Sequence, residues 1–145
     1  MAYLFKQKLD LRGLAGRDVL PKLVIVAEAE EYLSALYSYY LHNHNFEVLR
    51  CRQPKQLAGL MEHYPPHLLI FNPRFYGDIS ATVKFLGSVR KVYPLLPVVS
   101  VGSGISSQEL GQLMACGIVS HIDRRLSRPM DIIHIARSIL ELTNR

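Results

Sequence analysis

Four polar or charged side chains follow short apolar runs of this sequence, where parallel strands would bring them to one edge of a sheet. They are Glu28, Asn72, Ser103 and Arg124, which supply a carboxylate, an amide, a hydroxyl and a guanidinium. A catalytic site needs a nucleophile or a convergent acid and base, and Glu28 with Asn72 is too little for either. One carboxylate is also a poor Mg²⁺ site, because such sites use one or two carboxylates together with phosphate or water. We therefore predict neither an enzyme nor a bound metal or cofactor.

The elements that position these residues follow from the hydrophobic pattern. From residue 22 onward, short β-rich runs alternate with helical patterns, which is typical of repeated βα units around a parallel sheet. The strands are predicted at 23–26, 46–51, 68–71, 98–101 and 118–122. Helices are predicted at 30–42, 54–63, 79–92 and 129–142, and one more is predicted to be capped by Ser106 or Ser107 and ended by Gly117.

Five such units predict an α/β fold, namely a flavodoxin-like, five-stranded parallel sheet of order 2-1-3-4-5 with helices on both faces. In that fold a ligand site lies at the carboxyl ends of strands one, three, four and five. The residues predicted at this edge are Ala27, Glu28, Asn72, Gly102, Ser103, Asp123 and Arg124.

The composition predicts a single compact domain, because 49% of the 145 residues are hydrophobic. Cys51 and Cys116 lie in apolar segments without a Cys/His cluster, which favours buried thiols over a disulfide or a zinc site and thus a cytoplasmic protein. No apolar run approaches the ~20 residues of a membrane span, and no signal peptide is apparent. The net charge of +5 would favour acidic partners, but the basic residues are scattered, as on an ordinary solvated surface.

Residues 1–21 fall outside the βα pattern and form an N-terminal arm, whereas 22–145 form the predicted domain. The arm interleaves apolar residues such as Leu4, Phe5 and Leu9 with basic ones, so it could dock on a partner or on a second copy of the chain. Gly13 and Gly16 interrupt any long helix, so a flexible leader is the alternative. The last predicted helix reaches the end of the sequence, so we expect no output domain within it.

The spacing of four segments carries a family resemblance. The segments are Leu-Val-Ile-Val-Ala27-Glu28, Pro66-His-Leu-Leu-Ile-Phe-Asn72, Leu96-Pro-Val-Val-Ser-Val-Gly102-Ser103 and Cys116-Gly-Ile-Val-Ser-His121-Ile-Asp-Arg124. In pattern and spacing, residues 22–143 resemble the receiver domain of bacterial two-component response regulators, the CheY-like family. The resemblance implies an acidic pair at Ala27 and Glu28, a phosphoacceptor at Asn72, a hydroxyl residue at Gly102 and a lysine at Arg124.

Most of these positions depart from the family pattern. Family chemistry uses carboxylates to hold Mg²⁺ while a lysine and a hydroxyl contact the phosphoryl group. Here Ala27 offers no ligand, Asn72 has no nucleophilic carboxylate, Gly102 has no hydroxyl, and Arg124 keeps only the positive charge. His121 stands where the family has its aromatic switch residue. The resemblance therefore implies a degenerate pseudo-receiver that lacks the phosphoacceptor aspartate.

Arg124 is expected to take the place of the missing metal. If its side chain points toward the first strand, it would pair with Glu28 and hydrogen-bond Asn72, which would hold the pocket in one state. In the alternative, Glu28 is solvated or caps the first helix and Arg124 faces water.

The function that we expect is a non-catalytic, phosphorylation-independent module that binds another signalling or scaffold protein in bacterial signal transduction. A homodimer could form through the face of the fourth helix, fifth strand and fifth helix, or through the arm. One alternative is a small-molecule sensor that uses the strand-end pocket. The other is a basic nucleic-acid-binding regulator, which the scattered charge disfavours and for which Arg124, Arg125 and Arg128 form the one tight cluster.

Overall fold

A computed structural model describes residues 20–143, so nearly all of the predicted N-terminal arm lies outside the described residues. Five strands alternate with five α-helices. The strands are β1 (Leu23–Ala27), β2 (Glu47–Cys51), β3 (Leu68–Phe71), β4 (Val98–Gly102) and β5 (Ser120–Asp123). The helices are α1 (Glu31–Asn43), α2 (Pro54–His63), α3 (Ile79–Val92), α4 (Ser107–Ala115) and α5 (Pro129–Thr143), with a 3₁₀ turn at Arg124–Leu126 before α5.

The strands form one parallel sheet in the order β2-β1-β3-β4-β5, which confirms the predicted topology. Every residue of β3 and β4 is buried, as is expected for aliphatic strands that are covered by helices on both faces. Ala27 pairs with Phe71, and Gly102 pairs with Asp123. This register brings the carboxyl ends of the strands to a common edge.

Each face of the sheet has its own hydrophobic core. On one face, α2, α3 and α4 contribute Leu57, Met61, Leu86 and Leu113, which pack with Ile25, Leu69 and Phe71 of the sheet. On the other face, α1 and α5 contribute Tyr37, Leu41, Ile133 and Ala136, which pack with Val26, Ile70 and Val101. Alternate residues of each strand thus serve opposite cores.

Two features near β5 differ from the sequence prediction. The strand begins at Ser120 rather than at residue 118, because Ile118 is buried but is not paired in the ladder. The hydrophobic pattern indicates which residues are buried, but a strand also requires backbone pairing with a neighbouring strand. The prediction therefore started the strand too early. The 3₁₀ turn that follows was not predicted, and its first residue is Arg124.

The predicted helix signals are confirmed at both ends of α4. Ser106 is the N-cap and forms a capping box with Glu109, since each side chain accepts the backbone N–H of the other residue. Gly117, after the C-cap, has a φ of +94°. That left-handed conformation suits glycine and ends the helix.

The prediction of buried, free thiols is confirmed for one of the two cysteines. Both thiols are free, but Cys51 is buried and Cys116 is only partly buried. Burial raises the pKa of the Cys51 thiol, which keeps it protonated. No helix among residues 20–143 combines the length and hydrophobicity needed to cross a bilayer.

Candidate functional site: the carboxyl edge of the sheet

The ends of β1, β3 and β4 meet at one edge, as the sequence predicted. The Asn72 N–H donates to the Ala27 carbonyl at 3.0 Å, so the chain stays paired with β1 one residue beyond β3. The Glu28 N–H donates to the Cys51 carbonyl at 3.1 Å, which continues β1 beside β2 in the same way. Glu28, Asn72 and Gly102 are therefore held by the ladder itself, and Ser103 and Arg124 lie on the loops that follow.

Asn72 begins the loop from β3 to α3 and shapes it. The Phe75 N–H donates to the Asn72 backbone carbonyl at 2.8 Å, and the Arg74 N–H donates to the Asn72 side-chain oxygen at 2.8 Å. With Pro73 at the second position, this is an Asx-type β-turn, for which Asn and Pro are preferred residues. The carbonyl of Pro73 accepts the buried hydroxyl of Thr82 at 2.6 Å, which fastens the turn to α3.

The other half of the Asn72 amide contacts Glu28. The Asn72 Nδ2 group donates to Glu28 Oε1 at 3.0 Å, and the second oxygen, Oε2, accepts the Glu30 N–H at 3.0 Å. Glu28 is only 4% exposed, so both bonds are shielded from solvent. A hydrogen bond to a buried charged group contributes about 1.5–3 kcal/mol, and an aspartate at position 72 could not donate it. Both oxygens of the Glu28 carboxylate thus already accept a hydrogen bond.

Gly102 and Pro73 are packed against one another at the same edge. A Cβ atom on Gly102 would lie 2.9 Å from Pro73 Cδ and 3.3 Å from Asn72 Oδ1. A separation of 2.9 Å between carbon atoms is a steric clash, and the proline ring is buried and stiff. The position that resembles the family's hydroxyl residue therefore has no room for any side chain. Sequence reasoning identified Gly102 but missed this contact, although the Asn-Pro pair signals the turn that creates it.

Arg124 does not form the expected ion pair with Glu28. Its side chain is exposed, and Nη2 donates to Ser103 Oγ at 3.0 Å. The expected bond to Asn72 is also not made, because Glu28 and Arg74 already occupy that amide. The structure therefore follows the alternative: Glu28 stabilises the turn into α1 through the Glu30 N–H, and Arg124 faces solvent while it joins the β4 and β5 loops.

A second arginine, which sequence reasoning did not identify, links two loops above the site. Arg74 Nη2 donates to the Gly104 carbonyl at 2.9 Å and to Glu109 Oε1 at 3.1 Å. The bond from the Ser106 N–H, more than the charge of Arg74, holds the pKa of Glu109 below its usual value. The β3–α3 turn is therefore tied to the β4–α4 loop and to the first turn of α4.

His121 lies on β5 beside Ser100 of β4, with which it is in register. Its Nδ1 is 2.6 Å from Ser100 Oγ, and that serine is fully buried. Desolvation lowers the pKa of His121, and the carboxylate of Asp123 opposes this effect, so the ring is favoured in its neutral form at neutral pH. The residue at the predicted switch position is thus hydrogen-bonded to the adjacent strand.

The carboxylate of Asp123 serves the backbone of the β5 loop. Asp123 Oδ1 accepts the Arg125 N–H at 3.0 Å, and this bond is the main reason that the pKa of Asp123 is lowered. Arg125 Nη2 also lies 3.5 Å from Asp123 Oδ2. Among residues 20–143, three or more His, Cys, Asp or Glu side chains nowhere come together as metal ligands. The arrangement at this edge is a closed set of hydrogen bonds.

Comparison with known proteins supports the fold rather than an individual identity. No family model matches the sequence, and no curated protein is significantly similar to it. Among solved structures, the CheY-like response regulator receiver domain protein of Methanospirillum hungatei superposes with a TM-score of 0.76 at 15% identity, covering 87% of this chain and 98% of that one. A response regulator from Thermotoga maritima superposes with a TM-score of 0.74 at 14% identity, covering 85% and 99%.

Longer proteins contain the same unit. NtrX of Brucella abortus matches with a TM-score of 0.73 at 17% identity over 86% of this chain, which spans only 28% of the NtrX chain. The chain therefore has the fold of response-regulator receiver domains. At these identities the likeness extends to the fold alone.

Proposed function

We propose that this protein is a receiver-like signalling module that does not accept a phosphoryl group and acts by binding another protein. The observation that carries the proposal is the hydrogen bond from the Asn72 amide to the buried Glu28 carboxylate. It replaces the metal-bridged carboxylates on which phosphotransfer depends in proteins of this pattern. We propose a place in bacterial signal transduction, in the cytoplasm, on the same resemblance.

Three contacts support a pocket without phosphotransfer chemistry. An amide is not a nucleophile for phosphoryl transfer, and both oxygens of the remaining carboxylate already accept hydrogen bonds. Pro73 fills the space beside Gly102 where a hydroxyl side chain would stand. Arg74 ties the loops above the pocket together. Together these contacts favour one state of the site over a switch between two.

Exposed apolar side chains support a role in protein binding. Tyr32 and Tyr39 lie seven residues apart on α1 and are 67% and 63% exposed, and tyrosine is a residue type that is enriched in protein interfaces. We propose that the partner is a signalling or scaffold protein. Self-association through α4, β5 and α5 is the second possibility, and Met114 and Val119 are exposed near that face.

Nucleic-acid binding is the weaker alternative, because many cations are already paired with carboxylates. Arg50 and Arg52 both contact Glu31, Arg74 contacts Glu109, and Arg125 contacts Asp123. Such pairs reduce the positive potential that phosphate backbones require. The small-molecule alternative is favoured by a small cleft beside the site, which Arg124 and Arg128 help to line.

The proposal is tested with Mg²⁺ and either acetyl phosphate or beryllofluoride, by intact mass and thermal stability of the full chain. We expect neither a covalent adduct nor a Mg²⁺-dependent rise in Tm for the natural sequence. Asn72→Asp serves as the comparison, because it supplies the carboxylate without changing the size of the side chain. An adduct or a Mg²⁺-dependent shift in the natural protein would overturn the proposal and identify a working receiver site.

The partner is sought separately by affinity capture with the natural chain and with a Tyr32→Ser, Tyr39→Ser variant. Both tyrosines are exposed on α1, so the double change leaves the core intact. A protein that is retained by the natural chain and lost with the variant supports the proposed surface. Equal retention by both chains places the contact elsewhere.

A further inference from the structure

A small cleft lies beside the carboxyl edge, on the face of the sheet that α1 and α5 cover. Its volume is about 130 Å³. The walls come from α1, from the ends of β4 and β5, and from the segment that starts α5. The lining residues are Leu33, Leu36, Tyr37, Val101, Ile122, Arg124, Ser127, Arg128, Pro129 and Ile132.

The floor of the cleft is apolar and sized for one ring. Val101, Ile122 and Ile132 are buried core residues, and Leu33 and Leu36 of α1 are partly exposed. A cavity of about 150 Å³ lined by aliphatic side chains holds benzene, so the present volume suits a single six-membered ring. Binding there would bury the ring against side chains that already form the core.

The rim of the cleft is polar and positively charged. Arg124 and Arg128 are both exposed, and no carboxylate lines the cleft between them. Among residues 20–143, the Arg128 guanidinium has no hydrogen-bond or ion-pair partner, and Arg124 donates only to Ser103. The first turn of α5 begins at Pro129, so the positive end of that helix dipole adds to the field.

One residue of the cleft wall carries a buried hydroxyl that has no hydrogen-bond partner within residues 20–143. Tyr37 lines the cleft and is 5% exposed, yet its hydroxyl makes no hydrogen bond to any described residue. Burial, together with the nearby charge of Glu28, raises the pKa of Tyr37 to about 12, so the hydroxyl keeps its proton and remains a donor. An unpaired buried hydroxyl costs free energy, and an acceptor brought by a ligand would remove that cost.

We propose that the cleft binds a small aromatic acid, a single ring that carries one carboxylate. The ring packs on Val101, Ile122 and Ile132, and the carboxylate lies between the guanidinium groups of Arg124 and Arg128. The Tyr37 hydroxyl donates to the same acid group. This binding site is separate from the Asn72 pocket, and it would give the protein a ligand in addition to a protein partner.

Four acidic residues lie near the cleft, and each accepts a hydrogen bond from another group. Glu30, whose charge acts on Tyr37, accepts the Tyr32 N–H at 3.1 Å. Glu28 accepts from Asn72 and Glu30, Asp123 accepts the Arg125 N–H, and Asp131 accepts the Arg128 N–H at 2.8 Å. Among residues 20–143, no ion pair joins these carboxylates to Arg124 or Arg128, so both guanidinium groups remain available to a ligand. The rim therefore selects an anion over a cation.

The test is a titration of the full chain with benzoate. Binding is measured from the changes in the NMR amide chemical shifts of residues around the cleft. A ligand of nine heavy atoms is expected to bind with a Kd of about a millimolar. Benzyl alcohol, which has the same ring without the charge, is expected to bind at least roughly tenfold more weakly, since it lacks the charge-assisted hydrogen bonds.

Matched arginine variants distinguish binding by the two rim arginines from attraction by the overall positive charge of the protein. Arg124→Gln and Arg128→Gln should each weaken benzoate binding by about tenfold. Arg125→Gln removes the same charge one residue from Arg124 but outside the cleft, and it should leave affinity unchanged. Loss of affinity in all three variants alike would mean that the overall charge attracts the anion, and it would overturn the assignment.

Tyr37→Phe distinguishes a ligand-binding role of the Tyr37 hydroxyl from a purely structural one, because benzoate affinity and Tm are measured on the same variant. The change removes a hydroxyl that has no partner, so the Tm of the ligand-free protein should not fall, while benzoate affinity should fall. A lower Tm with unchanged affinity would contradict a ligand role for the hydroxyl. Failure to saturate with benzoate, or equal binding of benzyl alcohol, would overturn the site without bearing on the phosphoryl test.

Discussion

Gly102 packs so closely against Pro73 that a Cβ atom on the glycine would lie 2.9 Å from Pro73 Cδ. We therefore predict that Gly102→Ala destabilises the protein by about 1–3 kcal/mol, because a buried proline ring must shift to relieve the contact. Chemical denaturation followed by far-UV circular dichroism measures the change.

Gly87→Ala is the matched control for that substitution. Gly87 lies in the exposed part of α3, and a Cβ there would meet nothing within 4 Å. The control should therefore stabilise the protein by about 0.5–1 kcal/mol, because alanine loses less conformational entropy than glycine when it is held in a helix. Equal effects at both glycines would show that the Pro73 contact yields easily.

Asn72→Asp places a carboxylate oxygen where the amide now donates to Glu28 over 3.0 Å. We expect a loss of about 2 kcal/mol or more at pH 7, because a charged hydrogen bond is replaced by repulsion. Free energies of unfolding of the natural protein and the variant at pH 7 provide the test.

The reciprocal double variant, Asn72→Asp with Glu28→Gln, controls for the general effect of a mutation at this edge. It exchanges the amide and the carboxylate, so a hydrogen bond can form in the opposite direction. Stability at pH 7 should recover relative to Asn72→Asp alone. A double variant that is less stable than both single variants would show that the two side chains act independently.

His67 makes stability depend on pH below neutrality. Its Nδ1 accepts the Leu23 N–H at 2.9 Å, and desolvation, assisted by the charge of Lys22, lowers the pKa of His67. The stability that the neutral ring contributes is present above the unfolded pKa, about 6.5, and is lost as the pH falls through the lower folded pKa. Thermal melts between pH 7.5 and pH 5 should show Tm decreasing toward acid.

His67→Asn keeps an acceptor at the position of Nδ1 but does not titrate. This variant should flatten part of the acid decrease in Tm, and the remaining slope should include His121, whose pKa is also lowered by desolvation. An unchanged slope in His67→Asn would mean that protonation of the ring does not break the bond to Leu23.

Arg74 is predicted to matter more for loop motion than for stability. Its contacts to Gly104 and Glu109 are largely solvent-exposed, so Arg74→Gln should cost only about 0.2–1 kcal/mol. Amide hydrogen exchange in the β4–α4 loop and the first turn of α4 should become faster, because the tie to the β3–α3 turn is lost.

Arg52→Gln is the control for the arginine substitution. Arg52 contacts Glu31 at 2.9 Å on a different part of the surface, so the loss of an exposed ion pair is matched. Exchange around Gly104 should stay as in the natural protein. Faster exchange in both variants would assign the effect to charge rather than to the Arg74 contacts.

The topology of the sheet could be predicted from the chain because it depends on repeated local patterns. Buried strands such as β3 need a continuous aliphatic run, and the end of α4 needs a residue that tolerates positive φ, which Gly117 supplies. These signals are contained in a few adjacent residues. The strand order then follows from the pattern of short βα crossovers that characterises this fold.

The side-chain contacts of the site could not be predicted in the same way. The expected pairing of Arg124 with Glu28 required the Arg124 side chain to point toward β1, whereas a 3₁₀ turn begins at Arg124 and its side chain meets Ser103. Glu28 needed no cation, because Asn72 and the Glu30 N–H already supply donors. Both outcomes depend on loop conformation and on competition among donors, which residue spacing does not encode.

The packing of Gly102 on Pro73, taken together with the bond between Asn72 and Glu28, limits how this site could be redesigned. An aspartate at 72 would repel Glu28, and a threonine at 102 would collide with the proline ring. Each single change toward a phosphate-accepting pocket is therefore expected to destabilise the protein before it adds any chemistry. A redesign would have to change Glu28, Asn72, Pro73 and Gly102 together.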